Sequence, residues 1–152
     1  MSVVIADQRP DSRDAVALIA ELDAILTPLY PTESRHGYSV EKLLRQGVIF
    51  FIIHVDEAPA GCGGVQYFER GYGELKRMYV RPQFRGRRLG RMLLEHLANH
   101  ARQRGVELLR LETGIHQREA IALYTSFGFS RIPPFGSYRE DPNSMCFEKR
   151  LG

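Results

Sequence analysis

The sequence predicts an α+β fold, an α/β sandwich whose mixed, mostly antiparallel central sheet of about six or seven strands is flanked by about four helices. Short runs rich in Val, Ile, Phe and Tyr are bounded by Gly, Pro and Asp turns, which is typical of strands. Other segments repeat apolar residues every three or four positions, which is typical of helices. For 152 residues we expect one domain, spanning residues 1–152.

The first part of the chain combines a short strand with two helices. Residues 3–6 form the expected strand. Asp11 and Ser12 are good N-cap residues for a helix that Pro28 and Pro31 end. The apolar positions of this helix include Val16, Ile19, Leu22, Ile25 and Leu26. After a loop over residues 30–39, a short helix is expected over residues 40–45.

Three strands then follow in close succession, over residues 48–55, 60–68 and 74–80. The turns between them, residues 56–59 and 69–73, are short. Because short connections join antiparallel neighbours, we expect an antiparallel meander.

The second half of the chain alternates between the two patterns. A helix with an apolar face runs from Leu89 to about Arg104, and Gly105 ends it. Residues 108–113 form the next strand, and a second helix ends at Gly128. Residues 129–132 and 145–151 would be closing strands, joined by a turn-rich loop over residues 133–144.

Composition excludes several classes of protein. No apolar run approaches the roughly 18 residues of a membrane span, so we expect no membrane partner. Residues 1–10 do not resemble a signal peptide, and the expected location is the cytoplasm. Cys62 and Cys146 are too few for a disulfide framework and are interpreted as reduced strand residues, with a catalytic cysteine as the alternative.

Positive charge is concentrated in one segment. Residues 75–94 contain no acidic residue but include Lys76, Arg77, Arg81, Arg85, Arg87, Arg88 and Arg91. Such a cluster indicates an anionic partner. Charge alone leaves three candidates open: phosphate on a small molecule, nucleic acid, or solvent around a charged surface.

The segment over residues 78–90 joins a strand to an amphipathic helix. A helix start leaves backbone N–H groups unpaired and carries partial positive charge, so it can bind an anion. Gly86 and Gly90 would let a phosphate approach the backbone, and the arginines supply forked donors. The segment has neither the Gly-Lys-Ser/Thr ending of a Walker loop nor GxGxxG spacing.

This segment resembles the Q/R-x-x-G-x-G/A signature of the GNAT superfamily of N-acetyltransferases. Arg85 matches its first position and Gly90 its last, whereas Arg88 replaces the middle glycine. If that position requires φ above zero, arginine there costs roughly 1 kcal/mol or more. The simpler interpretation, which we expect, is an ordinary helical conformation at Arg88, with its side chain turned outward or toward the cofactor's 3′-phosphate. Downstream, Gln117-x-x-Ala120 and Leu123-Tyr124-x-x-x-Gly128-Phe129 are similar to the family's N-x-x-A-x-x-L-Y-x-x-x-G-F segment. The resemblance covers roughly residues 48–151 and is closest to the bacterial small-molecule branch.

The resemblance implies an acetyl-CoA-dependent N-acetyltransferase. His96 and His100, four residues apart on a helix, are a possible metal pair, but no third ligand is spaced nearby and we expect no metal. It implies a strand that diverges from its neighbour, with pantetheine in the gap. The cofactor contacts that it implies are Met78, Tyr79, Val80, Arg85, Gly86, Arg87, Arg88, Leu89, Gly90, Gln117 and Tyr124. The acceptor would be a small-molecule primary amine that attacks directly in a ternary complex. Family members often dimerise, so a homodimer is an expected partner.

Two residues are candidates for proton transfer. Tyr124 matches the family's general acid for the leaving thiolate, although a core tyrosine is the alternative. Glu74 matches the general-base glutamate of the histone-acetyltransferase branch, although a paired surface glutamate is the alternative. If the strand is regular, Glu74 shares a face with Lys76, Met78 and Val80. Further candidates for the base are Glu112, His116, Glu33 and a water chain.

The acceptor is expected between the loop over residues 30–38 and the loop over residues 133–144. Glu33, His36 and Tyr138 are the predicted contacts. A non-catalytic acyl-CoA-binding module is the alternative function. A nucleic-acid binder is disfavoured, because no aromatic residues are interleaved with the arginines.

Overall fold

A computed structural model describes residues 1–35 and 39–152 and shows a seven-stranded sheet. The strands are β1 (Val3–Asp7), β2 (Ile49–Val55), β3 (Ala58–Phe68), β4 (Tyr72–Val80), β5 (Leu108–Gly114), β6 (Ser130–Ile132) and β7 (Ser144–Arg150). Their order is β1-β2-β3-β4-β5-β7-β6, and every neighbouring pair is antiparallel except β4 and β5. The predicted mixed, mostly antiparallel sheet and its meander are confirmed.

Capping serines mark the starts of two helices, and glycines follow the ends of the other two. In the described residues the α-helices are α1 (Arg13–Leu26), α2 (Val40–Arg45), α3 (Leu89–Gln103) and α4 (Arg118–Phe127). Ser12 and Ser39 cap α1 and α2 by accepting hydrogen bonds from backbone N–H groups. Gly105 and Gly128 follow α3 and α4 with φ of 74° and 107°, a conformation that favours glycine. None of these helices is both long and apolar enough to cross a bilayer.

Two apolar layers hold the helices on opposite faces of the sheet. On one face, Leu18 of α1 and Leu43 of α2 pack in a buried cluster with Phe50 and Ile52. The other face carries α3 and α4, whose buried residues pack against Leu109 and the rest of β5. Burial of one such side chain contributes about 1.5–3 kcal/mol, so these layers supply most of the attraction between helices and sheet.

Two arginines fasten α1 to β4. The Nη2 atom of Arg77 donates to Asp23, 2.5 Å away, and to the carbonyl oxygen of Ile19. Arg81 forms a bidentate ion pair with Glu21, and its hydrogen bond lowers the pKa of the Glu21 carboxyl. Because α1 is held in this way, its last turns form a fixed wall beside the end of β4.

A β-bulge in β4 contradicts the expectation that Glu74, Lys76, Met78 and Val80 share one face. Cys62 pairs with Tyr79 and Gly64 with Lys76, so two β4 residues oppose the single residue Gly63. The extra residue is Arg77, with φ of 58°. Before the bulge, Lys76 lies toward α2; after it, Met78 and Val80 pack toward α3.

The parallel strands β4 and β5 separate soon after they meet. In the part of the chain that the structure describes, their pairing is limited to Gly73 with Leu109 and Glu74 with Arg110. The rest of β4 runs toward α3, while β5 continues along β7. The resulting gap between the two strands is where the cavities described below lie.

Candidate active site

A cleft of about 860 Å³ opens at the gap, between the starts of α3 and α4. The last turns of α1 form its opposite wall with Leu22, Ile25 and Leu26. The predicted cofactor residues that line the cleft are Met78, Tyr79, Val80, Arg85, Gly86, Arg88, Leu89, Gly90, Gln117 and Tyr124. The structure therefore brings together nearly all of the predicted cofactor site.

Arg87 is the exception. Its Nη1 atom lies 3.8 Å from the sulfur of Met1, and its guanidinium lies over the Phe84 ring, 5.5 Å from the centroid. Phe84, not Arg87, lines the cleft. Arg87 thus supports the corner from outside.

The corner between β4 and α3 supplies the groups that an anion requires. A 3-10 turn, Pro82–Phe84, reverses the chain, and no side chain caps the start of α3. Arg85 donates from Nε to the carbonyl oxygen of Val80, and its Nη1 lies 3.7 Å from the carboxylate of Glu119. The helix-start amides and the guanidinium of Arg85 therefore fit a diphosphate.

Gly90 lets α3 and α4 approach each other at this corner. A Cβ atom there would lie 2.8 Å from Cδ2 of Leu123 on α4. Leu123 also lines the cleft. A larger residue at position 90 would push α4 away from the helix start and widen the anion site.

The expectation of an ordinary helical conformation at Arg88 is wrong. Arg88 is the N-cap of α3 and adopts a left-handed conformation, with φ of 62° and ψ of 22°. This conformation costs a residue with a Cβ atom about 1–2 kcal/mol. The tight turn from the corner into α3 requires it, and the glycine of the family signature would adopt it without strain.

Replacing Arg88 should separate this strain from the charge of the side chain. We expect Arg88→Gly to raise the free energy of unfolding by about 1 kcal/mol, whereas Arg88→Ala keeps the strain and gives no such gain. Both variants lose the guanidinium that faces the cleft, so both should bind CoA more weakly. Urea denaturation and calorimetry measure the two effects. Equal stability of the two variants would show that the left-handed turn carries no strain.

A second, smaller pocket of about 130 Å³ lies beside the cleft. Its floor is formed by β4 and β5, and its roof by the segment after α1 and by Tyr138. Its charged lining residues are Asp23, Arg35, Glu74, Lys76, Arg77 and Glu112. These charges are equal in number and opposite in sign, so the pocket suits a polar molecule.

Glu74 lies in a buried hydrogen-bonded cluster on this floor. Its Oε2 atom accepts a hydrogen bond from the hydroxyl of Tyr138 at 2.6 Å and lies 3.4 Å from Nζ of Lys76. The side chains of Glu74 and Lys76 are only 5% and 2% exposed. The alternative interpretation of Glu74 as a paired surface glutamate is therefore wrong about exposure. The carboxylate is paired, but it is buried.

The cleft and the pocket meet. Both are lined by Leu22 and Leu26 of α1, Met78 of β4, and Gln117 and Tyr124 at α4. A ligand in the cleft and a second ligand in the pocket would therefore touch each other at this junction. No sequence signal identified Leu22 and Leu26 as site residues, because helical periodicity does not indicate what an apolar face packs against.

Tyr124 reaches the junction from a buried position. It is 5% exposed and its ring lies against Phe129. Burial strongly raises the pKa of its phenol, and Glu112 raises it further. The hydroxyl therefore stays protonated and can donate a proton or a hydrogen bond, but it cannot serve as a base.

A small network joins the two cavities on the side of α4. The hydroxyl of Tyr30 donates to Oε1 of Gln117 and accepts from the backbone N–H of His116, both at 3.0 Å. The N–H of Gly114 also donates to Oε1 of Gln117. The ring of Tyr30 lies so close to Gly114 that no Cβ atom fits there. The network fixes the start of α4, and with it Gln117, against the acceptor side.

The three predicted acceptor contacts have different outcomes. Tyr138 lines the small pocket. Glu33, in the 3-10 turn Thr32–Ser34, is not among the residues that line either cavity, whereas its neighbours Ser34 and Arg35 line the pocket. His36 lies outside the described residues.

The family of the chain follows from a sequence comparison. The model of the acetyltransferase (GNAT) family matches residues 18–129. The chain belongs to the GNAT family of acetyltransferases. The predicted acyl-CoA-dependent N-acetyltransferase is thereby confirmed as the class of enzyme.

Relatives of this GNAT acetyltransferase cover nearly its whole length. An "IAA acetyltransferase" of Azospirillum brasilense is 42% identical over 151 residues, 99% of either chain. The N-acetyltransferase YsnE of Bacillus subtilis is 35% identical over 141 residues, 91% of this chain and 93% of its own.

Solved structures agree with the fold. An acyl-CoA N-acyltransferase structure from Klebsiella pneumoniae has a TM-score of 0.84 at 41% identity and covers 99% of this chain and 98% of its own. The PaiA N-acetyltransferase of Thermoplasma acidophilum, solved with coenzyme A, has a TM-score of 0.79 at 21% identity, with 99% of each chain covered. At 21% identity, the similarity to the PaiA structure concerns the fold alone.

The cysteines and the paired histidines of the acetyltransferase lie away from the junction. Cys62 and Cys146 are free and buried in β3 and β7. Burial raises the pKa of Cys62 to about 12 and that of Cys146 to about 11, which disfavours a reactive thiolate. Nδ1 of His100 lies 2.6 Å from the hydroxyl of Tyr67. Over residues 1–35 and 39–152, no three His, Cys, Asp or Glu side chains are grouped to hold a metal ion.

Proposed function

We propose that this acetyltransferase transfers an acetyl group from acetyl-CoA to the primary amine of a small molecule, by direct attack in a ternary complex. The meeting of the two cavities at Met78, Gln117 and Tyr124 carries the proposal. A cofactor in the larger cleft would present its thioester at the junction, where an amine in the smaller pocket could attack it. No covalent acyl-enzyme is required, because the two ligands are adjacent.

The cleft residues bind the donor. The amides at the start of α3 and the guanidinium groups of Arg85 and Arg88 hold the pyrophosphate and the 3′-phosphate of CoA. The free edge of β4 at Met78 and Val80 offers backbone groups to pantetheine. A backbone N–H at or beside Met78 stabilises the oxyanion.

The proton steps use the two buried groups. Glu74, on the pocket floor, helps to remove the proton of the attacking amine, and Tyr124 donates to the departing thiolate. Burial raises the pKa of the Tyr124 phenol above its ordinary value, so the hydroxyl is protonated near neutral pH. Tyr124 therefore serves as a donor without a preceding proton uptake.

The size and charge of the pocket favour a small, polar acceptor. A volume of about 130 Å³, with balanced charges, suits an amine with a few further polar atoms. The relative in Azospirillum brasilense is named for IAA, and an IAA-related compound therefore belongs in the first set of acceptors tested. Tyr138 is a proposed acceptor contact, as are Glu33 and His36 of the neighbouring loop. A homodimer and a cytoplasmic location remain predictions.

A thiol-release assay tests the proposal. Purified enzyme is mixed with acetyl-CoA and a library of amino acids, small amines and IAA-related compounds, and free CoA and the acetylated product are measured. We expect stoichiometric CoA and amide with at least one primary amine. CoA binding by calorimetry with no CoA release across the library would support the acyl-CoA-binding module instead. Absence of CoA binding by folded protein would contradict both.

A further inference from the structure

Lys76 is an unusual lysine for its position. Its side chain is 2% exposed, on the floor of the acceptor pocket, and its Nζ atom lies 3.4 Å from Oε2 of Glu74. Lysines are rarely buried to this extent. Burial lowers the pKa of Lys76 to about 8, although Glu74 opposes the shift. A substantial fraction of this amine is therefore neutral in mildly alkaline solution.

Charged and titratable groups surround Lys76 on several elements. Two carboxylates favour its charged form and one lysine disfavours it: Glu74 on β4, Glu112 on β5 and Lys42 on α2. Tyr138 bonds to Glu74, and the next β4 residue, Arg77, is paired with Asp23 of α1. When Lys76 gives up its proton, the buried carboxylate of Glu74 keeps the hydrogen bond from the Tyr138 hydroxyl. It also stays in place to stabilise the lysine cation that forms when Lys76 takes up a proton.

We propose that Lys76 is a catalytic residue that accepts the proton of the acceptor amine, paired with Glu74. This inference rests on the proposed function, because it places the acceptor in the small pocket. As the acceptor nitrogen bonds to the thioester carbon, its proton passes to neutral Lys76, and the C–S bond breaks to release CoA. The new lysine cation is formed next to Glu74, whose negative charge stabilises it. Lys76 then releases this proton to solvent, and Tyr124 regains from solvent the proton that it gave to the departing sulfur, so both residues return to their starting states.

The geometry favours this role over that of a simple counter-ion. Oε2 of Glu74 already accepts a hydrogen bond from Tyr138 and also faces Lys76. The carboxylate of Glu74 is therefore fixed beside Nζ, where its negative charge stabilises the cation formed when Lys76 accepts a proton. A buried lysine amine loses its proton near neutrality more readily than an arginine does, which is why lysine can serve as a base where arginine cannot.

Lys76→Arg is the decisive variant, because arginine keeps the positive charge beside Glu74 but cannot give up its proton. We expect kcat to fall by about 10²-fold or more with the best amine of the turnover assay. In the wild type we expect kcat/KM to rise with pH near pH 8, as Lys76 loses its proton. In Lys76→Arg this rise should disappear, while CoA affinity by calorimetry stays unchanged. Lys76→Met, which has a similar shape and no charge, should lose the same rise. Deprotonation of the acceptor amine in solution also raises kcat/KM with pH, but it contributes equally in the wild type, Lys76→Arg and Lys76→Met.

A measurement without an acceptor checks the titration directly. The sequence contains three lysines, Lys42, Lys76 and Lys149, so ¹³Cε-lysine NMR gives few signals, and Lys76→Met assigns one of them. We expect the Lys76 signal to titrate near pH 8.

Two results would overturn the inference. Wild-type kcat and pH profile in Lys76→Arg would make Lys76 a counter-ion only, while the proposed function would stand. If no amine were acetylated by the wild type, the proposed function itself would fail. The NMR measurement would then decide whether Lys76 has the readily lost proton that the inference requires. A Lys76 signal that titrates at the ordinary pKa of a lysine side chain, about 10, would overturn the inference.

Discussion

Tyr124→Phe is expected to lower kcat by about 10²-fold and to leave the KM for acetyl-CoA nearly unchanged. The substitution removes only the hydroxyl at the junction, so the loss appears in the transition state, where the sulfur becomes negative. The phenyl ring keeps the packing against Phe129. Steady-state kinetics over a range of acetyl-CoA concentrations measures both constants.

Tyr67→Phe is a matched control for this loss. Tyr67 is also partly buried and hydrogen-bonded, but to His100 on α3, and it lines neither cavity. We expect its removal to affect stability alone. An unchanged kcat in Tyr124→Phe, with an acceptor that turns over well, would remove Tyr124 from the mechanism.

Gly114→Ala is expected to reduce both stability and turnover. The new methyl group would collide with the Tyr30 ring and lie 2.6 Å from Oε1 of Gln117. Crowding of this kind typically costs about 1–3 kcal/mol. Tyr30 must then move, which breaks its bonds to Gln117 and to the amide of His116. We expect at least a tenfold fall in kcat/KM for the acceptor, about 1.4 kcal/mol, measured with the best amine.

A second substitution can confirm that the collision with Tyr30 is the cause. In a Tyr30→Leu background the crowded ring is absent, so Gly114→Ala should cost much less free energy of unfolding. The double-mutant cycle from urea denaturation gives the coupling between the two positions. Additive effects would mean that Gly114 is required for some other reason.

Much of the fold could be predicted because local signals agree with the tertiary structure. The helix expected over residues 40–45 is α2, and Ser39 caps it. Gly105 and Gly128 end α3 and α4 as the glycine rule predicts. The antiparallel meander of β2, β3 and β4 could be predicted because short turns join these strands. Such elements are specified by residues near them in the chain.

The site was less predictable where one residue departs from a regular period. Nothing in the sequence of β4 indicates that Arg77 is an extra residue, and so the faces of Met78 and Val80 were predicted wrongly. The left-handed turn at Arg88 was one of two alternatives, because the family signature has glycine there whereas arginine itself favours an ordinary helical conformation. Tertiary packing places α1 and β4 beside α4. This packing makes site residues of Leu22, Leu26 and Lys76.

The two buried cysteines make the enzyme convenient to assay. A disulfide dye that reports free CoA should find no competing sulfhydryl on native protein, because Cys62 and Cys146 are inaccessible and mostly protonated. Colour that develops during turnover then comes from product. Adding denaturant at the end of the same cuvette exposes two equivalents per chain, which reports the enzyme concentration used.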